Sequence, residues 1–251
     1  MIRFDVLTLF PQMFDASLNQ SVLKRAQERG LIAIGIHNIR DFGVGPHRIV
    51  DDTPFGGGGG MVMKPEPIVQ AIENIKKCHP SAKVLLMTPQ GVLLNSSHAR
   101  RLAGHSHLAI VCGRYEGVDE RISLGFVDEE ISIGDYVLTG GELAAMVLID
   151  AVSRQIEGVL GHENAAYDDS FSQGLLEYPQ YTKPRSFRGF RVPEVLISGN
   201  HEEIKRWRRR ASIRRTWLRR PELLKKAVLS SEELRVIGEW EQEGEFSRHT
   251  A

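Results

Sequence analysis

Short apolar runs alternate with longer stretches of helical apolar spacing through the first three-fifths of this chain. Few folds accommodate that order. Phe4 to Leu9 reads as a buried strand, and Pro11 to Arg29 as an amphipathic helix ended by Gly30. Leu31 to His37 alternates like a strand, and Asp41 to Met61 is a Gly/Pro-rich loop without a period. Pro65 to Lys77 predicts a helix with Pro at its start, Lys83 to Thr88 a strand, and Asn95 to Ala103 a helix. His107 to Cys112 and Phe126 to Ile133 are strand-like again. Strands separated by helices imply an α/β fold whose parallel sheet is covered by helices on both faces. Ligands in such sheets sit outside the carboxyl ends of the strands.

Glycine turns occupy those ends. Val111-Cys-Gly-Arg-Tyr-Glu-Gly-Val-Asp-Glu-Arg121 follows one strand, and Ser132-Ile-Gly-Asp-Tyr-Val-Leu-Thr-Gly-Gly-Glu142 follows another and runs on into a helical pattern to Arg154. Thr88-Pro-Gln-Gly91 follows a third. Glycine lets main-chain N–H and C=O groups approach a ligand with no side chain between. One such loop alone reads more readily as a tight turn, whereas three in register make a pocket lined by backbone, suited to a flat, neutral group such as adenine. Phe55 to Met61 holds five consecutive glycines, but Lys64-Pro-Glu66 follows instead of Gly-Lys-Ser/Thr, so a nucleoside-triphosphatase loop is excluded. The run remains either a plain linker or a place where a nucleotide comes close.

Composition sets wide bounds. A 41% hydrophobic and 25% charged chain of 251 residues can bury a real core, as one large domain or two smaller ones. No apolar run approaches the ~20 residues that cross a bilayer, no signal peptide is evident, and Cys78 and Cys112 form no framework, so a cytoplasmic location without membrane contact is expected. His98, His105 and His107 lack metal-ligand spacing and read as structural or solvent-exposed. The net charge of zero averages two unlike parts. Residues 1–160 hold 15 Lys+Arg against 18 Asp+Glu, and residues 161–251 hold 17 against 14. Lys205 to Arg220 carries nine basic residues, Trp207 and Trp217, and no acid. A charge run is often a solvated face, but this density suits phosphate backbones. Glu202 to Arg219, with Asn200 as N-cap, and Ser231 to Glu243 predict helices. Gly161 to Gln180 reads as a polar linker, so the expected division is 1–160, 161–180 and 181–251.

The two glycine turns, together with Phe4-Asp-Val-Leu-Thr-Leu-Phe-Pro11, His47 to Met61, Asp169-Ser-Phe171 and His201 to Leu224, closely resemble the bacterial tRNA (guanine-N1)-methyltransferases of the knotted SPOUT class, nearly end to end. The resemblance implies a trefoil knot forming the cofactor pocket at the C-terminal end of the first domain, and a small helical C-terminal domain that binds tRNA. It implies S-adenosylmethionine as methyl donor, held by Pro89, Gly113, Glu116, Ile133, Gly134, Tyr136, Leu138, Gly140 and Gly141. It further implies methyl transfer to N1 of guanosine 37, a homodimer, and Mg²⁺ in activity, although no residue set announces a metal site.

Losing the N1 proton calls for a base and for a cation near O6. By resemblance Asp169 is the base and Arg154 the cation, with Asp168 and Ser170 as bystanders. On sequence alone, Asp168-Asp-Ser170 is an ordinary polar linker and Arg154 a cation at a helix C-terminus. RNA contacts are expected from His47, Arg48, Gly58, Gly59, Arg208, Arg209, Arg214 and Arg215. Glu177 stands where relatives often carry Asp, so any role needing the shorter side chain is in question. Two rival readings stay open: a SPOUT relative that methylates another RNA atom, such as a ribose 2′-hydroxyl, and a non-catalytic RNA-binding protein.

Overall fold

In the computed structural model the strands β1 (Ile2–Thr8) and β2 (Ile32–Asn38) pair in parallel, and three more strands complete a sheet. The model describes residues 1–161 and 169–242, which belong to two units, Met1–Glu163 and Asn164–Ala251. In the first unit β3 (Asp51–Asp52) and β4 (Val62–Met63) form a small antiparallel pair. They are followed by β5 (Lys83–Leu93), β6 (His107–Cys112) and β7 (Glu129–Ser132). The sheet order is β2-β1-β6-β5-β7, parallel throughout.

Six helices accompany these strands: α1 (Asp15–Leu18), α2 (Ser21–Glu28), α3 (Pro65–Cys78), α4 (Ser96–Ala103), α5 (Glu120–Phe126) and α6 (Glu142–Ser153). Successive strand side chains point to opposite faces. Leu85, Met87 and Ile110 therefore pack with α2, α4 and α6, while Val84, Leu86 and Val111 pack with α3 and α5. Burial on both faces explains why β6 is apolar almost throughout; all six of its residues are buried. In α6, Leu148, Ile149 and Val152 are fully buried, each contributing about 1.5–3 kcal/mol through removal from water.

Several expectations need correction. The helix expected over Pro11 to Arg29 is broken into a 3-10 turn, α1 and α2; Asn19 and Gln20 interrupt it and Ser21 enters α2 at φ +50°. Gly30 does end α2, at φ +67°. The strand expected to stop at Thr88 runs to Leu93, so Thr88 to Gly91 is not a terminal turn. Phe126 ends a helix, and only Glu129–Ser132 forms the strand expected over 126–133. The loop over Asp41 to Met61, expected to be irregular throughout, contains the β3 half of the small hairpin.

The second unit holds a short hairpin, β8 (Ser186–Phe187) with β9 (Phe190–Arg191), and the helices α7 (His201–Arg219) and α8 (Ser231–Gln242). Asn200 caps α7, its side chain accepting from the Glu203 N–H at 3.3 Å. α8 is capped by Ser230. Its hydroxyl accepts from the Glu233 N–H, and the Glu233 carboxylate accepts from the Ser230 N–H, a reciprocal capping box. The core is Leu175, Ile213, Trp217, Ile237 and Trp240, with the two indoles 5.7 Å apart. No described helix is long and apolar enough to cross a membrane.

Candidate active site

A cleft of about 430 Å³ opens where three segments of the first unit leave the sheet, a size typical of small-molecule sites. The first segment is a bulge. Met87 and Val92 both pair with Ile131, so Thr88 to Gly91 are ejected from β5 while the strand continues. A Cβ at Gly91 would lie 2.3 Å from the Ile131 nitrogen, so only glycine lets the bulge return to the sheet. The second segment follows β6 at Gly113, and the third joins β7 to α6. The Gly141 N–H donates to the Gly113 carbonyl at 2.9 Å, and Arg114 and Gly140 form an isolated β-bridge, closing the third segment on the second. Pro89, Gly113, Glu116, Ile133, Gly134, Tyr136, Leu138, Gly140 and Gly141 all line this one cleft.

Beneath it lies a charged network that sequence reasoning missed. Glu142, the first residue of α6, is fully buried. Its Oε1 accepts from the Thr8 hydroxyl at 2.8 Å. Its Oε2 lies 2.9 Å from Arg114 Nε, a charge contact whose angle falls short of a hydrogen bond. The Arg114 guanidinium stacks on Phe10 at 4.4 Å and donates to the Thr139 carbonyl at 3.2 Å. The signal was present: Glu142 opens a helix that is apolar apart from Asp150 and Ser153, and a buried glutamate is rare unless paired. Gly141 is held by the same packing, since a Cβ there would lie 2.8 Å from the Cys112 Cα. Its lack of a side chain is thus needed under the cleft, and not only at a ligand.

The five-glycine run has a defined backbone. Gly56, Gly57, Gly58 and Gly60 have φ of +86°, +78°, +125° and +83°, values that other residues rarely adopt. A Cβ on Gly60 would lie among the side-chain atoms of Glu116. The Glu116 N–H donates to the Met61 carbonyl at 3.0 Å and the Met63 N–H to the Gly117 carbonyl at 2.9 Å, so the end of the run is bonded to the second cleft segment. Gly58 and Gly59 are exposed. His47 and Arg48 are exposed on the turn closed by the Val44–Ile49 bridge, where Arg48 contacts Asp41 at 3.1 Å.

Arg154 caps the C-terminus of α6 in the first unit, its N–H donating to the Asp150 carbonyl. Asp169 belongs to the second unit, where its carbonyl accepts from the Ser172 hydroxyl at 2.7 Å. Asp168 lies outside the described residues. The Ser170 hydroxyl accepts from the Glu177 N–H at 3.0 Å. Glu177 in turn accepts from the Gln180 side chain at 2.5 Å.

The basic helix divides by role. Arg209 is half-buried and pairs with Glu233 at 2.7 Å while donating to the Val228 carbonyl, so it fastens α7 to α8. Arg215 is also half-buried and donates to the Glu177 carbonyl. Trp217 is buried in the core and is not an aromatic available to RNA. Lys205, Arg206, Arg208, Arg210, Arg214 and Arg219 are exposed.

Titratable groups away from the cleft hold the sheet. Buried Asp5 receives Arg3 at 2.8 Å, His37 at 2.8 Å and His107 at 2.6 Å. Burial pushes the Asp5 carboxyl up, but hydrogen bonds from His37 and Arg3 outweigh it and hold it well below the usual range. Burial pushes the His107 imidazole down. Glu129, with His98 at 2.8 Å, is raised by burial, yet Arg101 and Lys83 bring it down to about 2. His98 and His107 are therefore structural partners of carboxylates.

A family model described as tRNA (Guanine-1)-methyltransferase TrmD matches residues 2–226. Relatives named tRNA (guanine-N(1)-)-methyltransferase include one from Geobacter sulfurreducens, 57% identical over 244 residues, which span 97% of this chain and all of the relative. One from Geotalea uraniireducens is 58% identical over 238 residues, 95% of this chain and 96% of its own. One from Dictyoglomus turgidum is 51% identical over 243 residues, 97% and 98% of the two chains. With the cleft-forming turns and the five-glycine run both inside the matched region, the chain belongs to the tRNA (guanine-1)-methyltransferase family.

Proposed function

We propose that this protein transfers the methyl group of S-adenosylmethionine to N1 of guanosine 37 in tRNA, next to the anticodon, and works as a homodimer. The observation that carries the reading is the single cleft built by the three glycine-bearing segments, in a chain matched to the family over residues 2–226. When bound there, the donor supplies an electrophilic methyl on its sulfonium sulfur. Gly140 and Gly141 let the third segment pack closely on Arg114 and Cys112, which leaves its main chain, Gly134 included, on the lining where a donor would be held beside Tyr136 and Leu138. Glu116 offers a carboxylate to the donor's cationic groups. In this reading residues 1–160 form the donor domain, with the chain threaded as a trefoil knot at the cleft. Residues 161–180 lead from it into a tRNA-binding domain that includes 181–251, and Leu175 of that stretch packs into the core of the second unit.

Guanine N1 is a nucleophile only once its proton is lost, and it must leave the base stack to reach a recessed methyl. Asp169 accepts that proton, and Arg154 balances the negative charge that develops on O6. The donor cleft of one subunit works with Asp169 of the other. His47, Arg48, Gly58 and Gly59 approach the target nucleotide, and the exposed arginines of α7 bind phosphates. The Mg²⁺ implied by the resemblance finds no group of three or more His, Cys, Asp or Glu placed to hold it among the described residues, and no role here depends on it.

Mass spectrometry of a tRNA transcript incubated with protein and donor tests the reading. One methyl on guanosine 37, absent when that position is adenosine, is expected. Methylation of a ribose hydroxyl, or none at all with donor bound, overturns it.

A further inference from the structure

A second cleft, of about 410 Å³, lies wholly within the second unit. Its apolar lining includes Val192, Leu196 and Ile204, all half-buried, with Ile197 at the exposed edge, and Tyr178 and Tyr181 also face it. Lys183, Arg185 and Arg208 line it too, and among the described residues no acidic side chain does. The Arg208 guanidinium lies over the Tyr178 ring at 4.9 Å, which fixes it as a planar cation. Tyr181 is 49% exposed, with its ring centroid 6.4 Å from that of Trp207.

These features select the ligand by chemistry. A free phosphate needs the cations but gains nothing from tyrosine faces on an apolar floor. An apolar ligand needs the floor but not three cations. A duplex keeps its bases stacked on one another and offers none to a recess of this size. An unstacked nucleotide satisfies all of them at once, with a flat aromatic base beside a phosphate. Aromatic platforms flanked by cations are how single-stranded RNA is held.

We propose that this cleft takes one unstacked nucleotide of the tRNA substrate, its base against Tyr181 and its phosphate on Lys183 and Arg185. The proposal rests on the tRNA reading above and adds to it a second point of nucleotide capture, remote in sequence from the five-glycine run. The nucleotide belongs to the polymer: the described lining residues include no glycine and no buried polar group to hold a free mononucleotide tightly.

Trp207 is a built-in reporter, because Trp217 and Trp240 are only 2% and 6% exposed. With the full-length protein and an anticodon stem-loop RNA, emission should be quenched on binding, and Trp207→Phe should remove the quench. Tyr181→Leu should raise the dissociation constant about tenfold, the size of one lost base–aromatic stack. Tyr181→Phe should keep wild-type affinity, which separates stacking from loss of fold. Unchanged affinity in Tyr181→Leu, or emission blind to bound RNA, overturns the proposal. So does quenching by AMP at concentrations as low as those of the RNA, which would make this a mononucleotide site. Methylation of intact tRNA by the wild-type protein, measured in parallel, tests the enzymatic reading separately. If it persists while Tyr181→Leu binds normally, only the second cleft is lost.

Discussion

Arg114 reaches both Glu142 Oε2, at 2.9 Å, and the Thr139 carbonyl, at 3.2 Å, so one guanidinium fastens the second cleft segment to the third. Glu142→Gln keeps the shape and the Thr8 contact but leaves Arg114 without its counter-charge. Removing one partner of a buried pair costs about 3–5 kcal/mol. A lowered unfolding midpoint and at least tenfold weaker S-adenosylmethionine binding by calorimetry are expected, with affinity for tRNA retained. Wild-type donor affinity in a destabilised Glu142→Gln protein would show that the pair supports the fold without shaping the cleft.

Asp169→Asn retains size and polarity and loses the base. Donor and tRNA affinities should stay near wild type while single-turnover methyl transfer falls by roughly 10²–10⁴-fold. Mixed dimers pairing Asp169→Asn with Gly140→Val test the cross-subunit arrangement. A Cβ at Gly140 would lie 2.2 Å from Arg114 Nε, so that variant damages the donor cleft. Recovery of activity in verified heterodimers is expected; none would mean each site is contained in one chain.

The arginines of α7 should separate by assay. Lys205→Ala, Arg206→Ala and Arg219→Ala together remove exposed charge, and the salt dependence of tRNA binding should flatten by up to about one unit for each phosphate no longer neutralised. Arg209→Ala breaks the pair with Glu233 and should cost about 1 kcal/mol of stability, with little change in that slope. A reversed pattern would assign Arg209 to RNA and the exposed cations to solvent.

Acid should destabilise the protein in two stages. The folded state resists protonating His107, which also faces Arg3, Asp5 and His79, so stability falls as pH drops below about 6.5. Glu129 is held at about 2 against an ordinary 4.5, so its contribution is complete above about 4.5 and is lost as pH falls towards 2. Asp5, also depressed, works in the same direction. Thermal midpoints recorded from pH 7 to pH 3 should decline gently and then steeply. Glu129→Gln should soften the steep part; an unaltered profile in that variant would show that Glu129 has no part in it.

Pattern was a sound guide where burial decides an element's conformation, on one face in α3 and on both in β6. It failed where the chain breaks its own pattern. Asn19 and Gln20 interrupt a helical run whose apolar spacing carries on past them, and nothing in the spacing of Lys83 to Leu93 shows that four residues leave the strand and return. The cleft residues were legible because glycine and its neighbours carry the resemblance. Their support was not, because the Glu142–Arg114–Thr8 network joins residues up to 134 positions apart. The Arg209–Glu233 pair, 24 positions apart, was equally out of reach of the spacing, and it gives a cation expected to face RNA a partner on α8.

The bulge in β5 has a mechanical consequence. Met87 and Val92 are pinned opposite the same residue, Ile131, so Thr88 to Gly91 form a closed eyelet with both ends clamped at one point of a buried strand. An eyelet of this kind has no hinge, because swinging it requires unzipping β5 from β7. The wall formed by Pro89 is therefore the fixed jaw of the cleft. Residues 134–140, which line the same cleft, are open to solvent, with Tyr136 55% and Val137 84% exposed, so movement that admits and releases a ligand is expected there sooner than at Pro89.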